Sequence, residues 1–399
     1  MMEPAEAGNS LPRAFLRVGG ATLAQHQFGI AVALECQRLI CIAREISAEL
    51  IALQREAERT GVQMHVIPGS RALAALVTAN DEIIVFTEGL LADPQEAIDL
   101  MKSGYTVLVQ PIESGLIAGF ERIDINHAAA GLLRIPGRLV DQLADLPPDC
   151  DIPSALTRIA LQARIAMQPV PATAREGVRW KLVRDEVEAH GIEDAWIRLH
   201  MGDGQPPTPG VLLSRLGVLA FGSSLLHAGT SGKLVALGAL ATMLMAAGAG
   251  WLGYAVPALL LCALGWTIHR AAGLLDRVEH DSLNVRRPGL SSGQVPGWLL
   301  DLVLILLVVW SAPPSDLLLA SAFPPFILLC LVRLLPRVLP RTSTAALEDR
   351  ALLALILAIA AAMDMLVPAV EAIAAVLAAA GLLFSTGKSR STRRRQAGD

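Results

Sequence analysis

A soluble α/β domain followed by a bundle of apolar helices is the fold class this sequence predicts, and three observations predict it. The 399 residues are 53% hydrophobic and only 18% charged, with a mean hydropathy of +0.50, whereas soluble domains carry about a quarter charged residues. The apolar excess is confined to the second half: up to about Gly210 charges recur every few residues, and beyond it uncharged runs dominate. Within the first half, strand-length apolar runs alternate with helical stretches. The change in composition falls at 202–210, a Gly- and Pro-rich stretch with the character of a linker.

In the first half, strands are expected at Arg38–Ala43, Gln63–Ile67, Glu82–Thr87 and Thr106–Pro111. Helices are expected at Thr22–Glu35, Ile46–Thr60, Ser70–Ala79 and Pro94–Ser103. Alternation with short connections implies a mainly parallel sheet covered on both faces. After Phe120–Asp124 the pattern turns helical, with a loop at Pro147–Pro153. Such sheets bind ligands at the carboxyl ends of their strands, which makes Thr87, Glu88 and Glu113 candidate polar groups. The alternative is that these residues only cap or end loops. There is no glycine-rich phosphate loop, since Gly229–Lys233 has the wrong spacing.

In the second half, the uncharged run Leu234–Ile268 is about twice the length of one span. It reads as two helices with a turn at Gly250-Trp-Leu-Gly253. Further spans are expected at Gly297–Ala312 and Leu317–Val332, and two more between Ala351 and Phe384 with a turn near Asp364, Pro368 and Glu371. Basic residues lie on alternate loops: Arg270, Arg277, Arg286 and Arg287, then Arg333, Arg337, Arg341 and Arg350, then Lys388, Arg390 and Arg393–Arg395. The loops near Gly253, Pro313 and Pro368 hold none. Cations stay on the cytoplasmic side, so six spans with both termini cytoplasmic in the cell (inner) membrane are expected. Val211–Ala228 carries Arg215, Ser223, Ser224 and His227 and reads as an interfacial amphipathic helix. A short buried helix of the soluble domain is the alternative. The organisation is thus a cytoplasmic domain at 1–200, a linker and interfacial helix at 201–232, six helices at 233–385 and a basic tail at 386–399.

Composition also excludes classes. A net charge of −4 argues against nucleic-acid binding. The first twenty residues lack the basic start and apolar core of a signal peptide. Cys36, Cys41, Cys150, Cys262 and Cys330 form neither a CxxC pair nor a metal spacing.

Phe15-Leu-Arg-Val-Gly-Gly-Ala-Thr-Leu-Ala-Gln-His-Gln27 and Cys36-Gln-Arg-Leu-Ile-Cys-Ile-Ala43 resemble the part of a sugar-nucleotidyltransferase domain that follows its nucleotide loop. Such a Rossmann-like domain fused to six membrane helices is the layout of the bifunctional inositol-phosphate cytidylyltransferase and CDP-alcohol phosphatidyltransferase proteins. The signature of the latter is D-x-x-D-G-x-x-A-R, then G-x-x-x-D-x-x-x-D. Here the second span ends His269-Arg-Ala-Ala-Gly273-Leu-Leu-Asp276-Arg277, and the third begins Gly297-Trp-Leu-Leu-Asp301-Leu-Val-Leu-Ile305. Gly273, Arg277, Gly297 and Asp301 match. His269 and Ala272 replace the first two carboxylates, Asp276 the alanine and Ile305 the base. Gly8–Arg13 is a poor substitute for the nucleotide loop.

By this resemblance Asp301 and Arg277 are the catalytic candidates, and Gly273, Gly297, Thr87 and Glu88 the substrate-binding ones. In the family the carboxylates hold divalent metals, Mg or Mn, against the diphosphate of a CDP-activated lipid. One family carboxylate in four does not build that pair. An unconventional site would draw on Asp301, Asp276, His269 and His280, the last three at helical spacing, with imidazole and carboxylate suiting Zn or Mn. The bland alternative pairs Asp301 with an arginine such as Arg277. The resemblance therefore implies a relative in phospholipid or inositol-lipid head-group synthesis with impaired or lost catalysis. The alternatives are an active phosphotransferase, or a scaffold that binds lipid or nucleotide, as a homodimer or beside an active homologue. A transporter is the third class, without an internal repeat to favour it.

Overall fold

The structure, a computed structural model, describes residues 11–147, 150–201, 208–227, 232–283, 294–312, 318–338 and 341–396. The chain forms two compact units, Met1–His200 with Arg277–Arg287, and Met201–Asp276 with Pro288–Asp399.

The N-terminal unit opens with a hairpin, β1 (Arg17–Val18) and β2 (Ala21–Thr22). Gly19 and Gly20 take φ of +63° and +86° at its turn, a backbone that favours glycine. The Thr22 hydroxyl and the Gln25 side chain then form a capping box that starts α1 (Leu23–Ala33). β3 (Arg38–Ile42), α2 (Ala48–Thr60), β4 (Gln63–Ile67), α3 (Ser70–Leu76) and β5 (Glu82–Phe86) follow. Ser47 caps α2, and Gly61 ends it in the left-handed region. Next come β6 (Leu90–Ala92), α4 (Pro94–Met101, capped by Asp93), β7 (Thr106–Pro111), α5 (Ile112–Ile117) and β8 (His127–Pro136). The unit closes with α6 (Ile152–Gln162), β9 (Met167–Pro169), α7 (Ala172–Arg175), β10 (Trp180–Leu182) and α8 (Glu186–Met201).

The sheet differs from a continuous, mainly parallel one. β3 and β4 form a parallel pair of their own, and a four-stranded mixed sheet runs β5-β8-β7-β9. β8 is antiparallel to both its neighbours, and β9 parallel to β7. Strand β8 falls where the sequence pattern turned helical. Its first five residues, His127-Ala-Ala-Ala-Gly131, lack the β-branched side chains that announce a strand, and pairing on both edges decides instead. Ile135 and Leu133 bury one face with Val107 and Val109, and Leu132 and Ala130 the other with Trp180. Trp180 and Trp196 are fully buried, and each such aromatic contributes about 2–3 kcal/mol of apolar burial.

The C-terminal unit is helical: α9 (Pro209–His227), α10 (Gly232–Trp251), α11 (Ala255–Leu283), α12 (Gln294–Ser311), α13 (Leu318–Val338), α14 (Arg341–Glu348), α15 (Arg350–Ala362) and α16 (Leu366–Gln396). Among the described residues, three helical stretches are long and apolar enough to cross a membrane: Leu234–Trp251, Ala255–Val278 and Leu366–Leu383. Gly297–Ser311, Ser321–Pro336 and Arg350–Ala362 are apolar but shorter. The core joins Met243, Leu259, Leu304, Val332, Leu357 and Val370 from different helices. The outward faces are apolar too, with Leu244, Leu264, Phe323, Ile359 and Val376 exposed. A bundle greasy on both sides fits lipid, not water. Gly250 allows α10 to approach α12, since a Cβ there would lie 2.0 Å from the Leu307 side chain.

Three expectations shift. Arg270 and Arg277 lie on helix α11, Arg333 and Arg337 on α13, and Arg341 and Arg350 at the starts of α14 and α15, not in loops. The tail from Lys388 continues α16. On α9, Leu212, Leu213, Leu216 and Phe221 are exposed while Ser214 is buried, so the helix is apolar outwards instead of amphipathic. The expected features at 202–207, 229–231, Arg286, Arg287 and Pro313 lie outside the described residues.

Candidate functional site

In the C-terminal unit, the site forms around Asp301 on α12, 5% exposed within an apolar core. A carboxylate there is costly unless paired, and two arginines pair it. Arg333 Nε on α13 donates to Oδ2 at 2.5 Å, and Arg350 Nε, in the first turn of α15, donates to Oδ1 at 3.1 Å. Arg350 Nη1 also donates to the Leu347 carbonyl at 2.9 Å. Trp298, three residues before Asp301 and so on the same helix face, lies under the Arg333 guanidinium at 3.6 Å from the ring centroid. The Asp301 carboxylate is thus shared between two guanidiniums. Arg333 makes no other hydrogen bond among the described residues, and its side chain is 28% exposed. The arrangement is that of a fixed arginine fork with donor capacity to spare, suited to phosphate or carboxylate.

The position of Arg350 is itself fixed. Asp349 caps α15 through the Ala351 and Leu352 amides and accepts the Gly210 amide at 2.7 Å. Asp349 is wholly buried.

The other sequence candidates do not converge on Asp301. Among the described residues no three His, Cys, Asp or Glu side chains are grouped to hold a metal. His269 lies tilted beside Trp266, ring centroids 5.7 Å apart. Asp276 sits where α11 meets the start of α10 at Gly232, and the side chain of His280 is outside the described residues. With both Asp301 oxygens held by guanidiniums, a dication would have to displace one cation and tolerate the other, so the donor set does not fit the family's metal pair. Arg277 is exposed and is assigned to the N-terminal unit. Gly273 and Gly297 have open space where a Cβ would stand.

In the N-terminal unit, Thr87 and Glu88 line a cleft of about 770 Å³ with Arg13, Gln27 and Phe120. The Thr87 carbonyl accepts from Gln27 Nε2 at 3.1 Å, and Glu88 Oε1 accepts the Ala14 amide at 3.3 Å. Glu113 is exposed in the first turn of α5. Burial pushes the Cys41 thiol in this cleft up to about 11, which makes it an inert thiol. The arginines at Asp301 were visible in the sequence only as topology markers. The available signal was Arg333 itself, a lone charge in the run Ile327–Leu335, as Asp301 is in its own.

The fold is therefore an N-terminal α/β region with mixed sheets and a C-terminal helical region with three candidate membrane spans among the described residues, an arrangement consistent with a membrane protein. No protein-family model matches the chain, and no curated protein matches it.

Proposed function

We propose that the protein is a six-span membrane relative of the CDP-alcohol phosphatidyltransferases that has lost group transfer and retains recognition of a phosphate-bearing lipid. The observation that carries this reading is the Arg333–Asp301–Arg350 cluster. The only carboxylate left at a family position is committed to orienting two arginines. A carboxylate so engaged is a poor metal ligand or base, while the arginines it holds are good phosphate ligands. The reading places both termini in the cytoplasm, supported by the alternation of basic and uncharged segments along the sequence. Trp251 and Trp310, which meet edge to face at 5.5 Å at the ends of α10 and α12, suit the opposite interface.

The purified full chain in nanodiscs tests it. Phosphatidic acid should be retained over diacylglycerol, and Arg333→Gln should weaken retention about tenfold or more, the worth of a charge-assisted hydrogen bond. Equal retention of the two lipids would refute phosphate recognition. Metal-dependent transfer from CDP-diacylglycerol to an alcohol by the wild type would refute the loss of catalysis.

A further inference from the structure

Strands β3 and β5 are both sheet edges, and both face the same cleft. Among the described residues, β3 pairs only with β4, and β5 only with β8. Every residue of Arg38–Ile42 and of Glu82–Phe86 lines the cleft between them. Each strand therefore turns a row of backbone N–H and C=O groups towards the gap.

Neither strand has the sequence of an edge. Leu39-Ile-Cys-Ile42 and Ile83-Ile-Val-Phe86 are continuous apolar runs, the pattern of strands covered on both faces inside a sheet. Natural edges are blunted by a central charge, a proline or a bulge, and these runs contain none. Ile40, Ile42, Ile83 and Val85 pack on one core, while Leu39 and Cys41, and Ile84 and Phe86, pack on two others. All eight are only half-buried. Phe28 and Ala31 of α1 and Ile152 and Leu156 of α6 also line the cleft, so it is flanked by helices as a central strand would be.

We infer that this cleft receives one extended, uncharged segment of a partner polypeptide, which pairs with β3 on one edge and β5 on the other. Two facing rows of amides and carbonyls call for a backbone as ligand, since an acyl chain or nucleotide would leave them unsatisfied. The charges at the strand ends are already matched within the unit. Arg38 pairs with Asp81 at 2.7 Å, and Arg134 pairs with Glu82; the rest of the lining carries both signs, Arg13, Arg122 and Arg158 with Glu35, Glu88, Glu121 and Asp151, so the two strands themselves ask for an uncharged segment. Five residues in extended form span about 17 Å. Residues 1–10, which precede the cleft-lining Arg13 and Ala14 in sequence, are outside the described residues. Glu3, Pro4 and Glu6 would bury two carboxylates and remove a ladder donor, and the Ala-Gly-Asn-Ser that follows has no apolar side chain larger than alanine to pack between the two apolar strands. That chemistry favours a separate polypeptide.

Hydrogen–deuterium exchange of the full chain in detergent reads the proposal directly. The probe is an acetylated, amidated Val-Ile-Val-Leu-Val peptide with a solubilising lysine at each end. Amides of both Arg38–Ile42 and Glu82–Phe86 should slow by about tenfold or more with it, and a peptide with proline at its centre should slow neither. Protection of one strand alone, of neither, or by both peptides equally overturns the inference. So does faster exchange on both strands when residues 2–10 are deleted, which would make the chain's own start the occupant. Protection that rises with protein concentration alone would assign the cleft to a second copy and overturn it likewise.

Discussion

The Gly210 amide donates to the wholly buried Asp349 carboxylate at 2.7 Å, and the residue that follows Asp349 is Arg350, which grips Asp301. The helix preceding the bundle is thus tied to the same two-residue step that sets the arginine cluster. Asp349 orients the start of α15, α15 presents Arg350, and Asp301 then holds Arg333 over Trp298.

This relationship predicts a cost for any side chain at Gly210. A Cβ there would lie 2.3 Å from Asp349 Oδ1, so Gly210→Ala should destabilise by about 1–3 kcal/mol. Asp349→Ala should cost a similar amount by removing the cap and leaving the Gly210 amide buried without its acceptor. Thermal melts in detergent check both. Because the two changes break one contact, the double variant should fall well short of their sum, and full additivity would show that the contact is not the cause.

Asp301→Asn keeps shape but removes the charge that two arginines share. Breaking a buried ion pair on one side costs about 3–5 kcal/mol, so the variant should melt well below the wild type. Replacing all three charges with Asp301→Leu, Arg333→Met and Arg350→Met should recover most of that loss. A single Asn variant with wild-type stability would contradict the ion cluster.

Acid should weaken the N-terminal unit through its paired carboxylates. The Arg134 guanidinium holds Glu82 below the usual carboxylate range, and the Thr78 amide, followed by Arg38, does the same for Asp81. A depressed folded-state pKa contributes stability that is complete above the unfolded value, about 4 for these groups. It is lost as pH falls through the folded value. Urea midpoints should therefore be insensitive to Glu82 between pH 7 and 5, and fall below about pH 4. In Glu82→Gln the acid slope should be shallower, and an unchanged slope would show that the exposed pair contributes nothing measurable.

Topology is checked with reporters. A fusion after Arg395 should be active only in the cytoplasm, and an insertion near Pro313 only outside, as the one-sided arginines require. A cytoplasmic signal at Pro313 would overturn the proposed six-span arrangement.

Local chemistry made much of the chain legible. The runs at Arg38, Gln63, Glu82 and Thr106 are strands because their apolar side chains suit a pleated, buried surface. The helices after them begin at Ser47 and Asp93, whose side chains cap free amides. Gly253 and Asp364, both at positive φ, end helices where the hydropathy dips. The helical second half followed from its apolar composition in the same way.

Pairing between distant segments was not legible, because nothing local encodes it. β8 is a strand through its neighbours β5 and β7, with an Ala- and Gly-rich start that has no strand preference of its own. The gap between β3 and β5 exists only in the tertiary arrangement, since each strand alone reads as central. The partners of Asp301 lie 32 and 49 residues away on other helices. The sequence could show that a buried carboxylate needs a cation, by the cost of desolvating it. Only the packing of α12, α13 and α15 decided that the cations are Arg333 and Arg350.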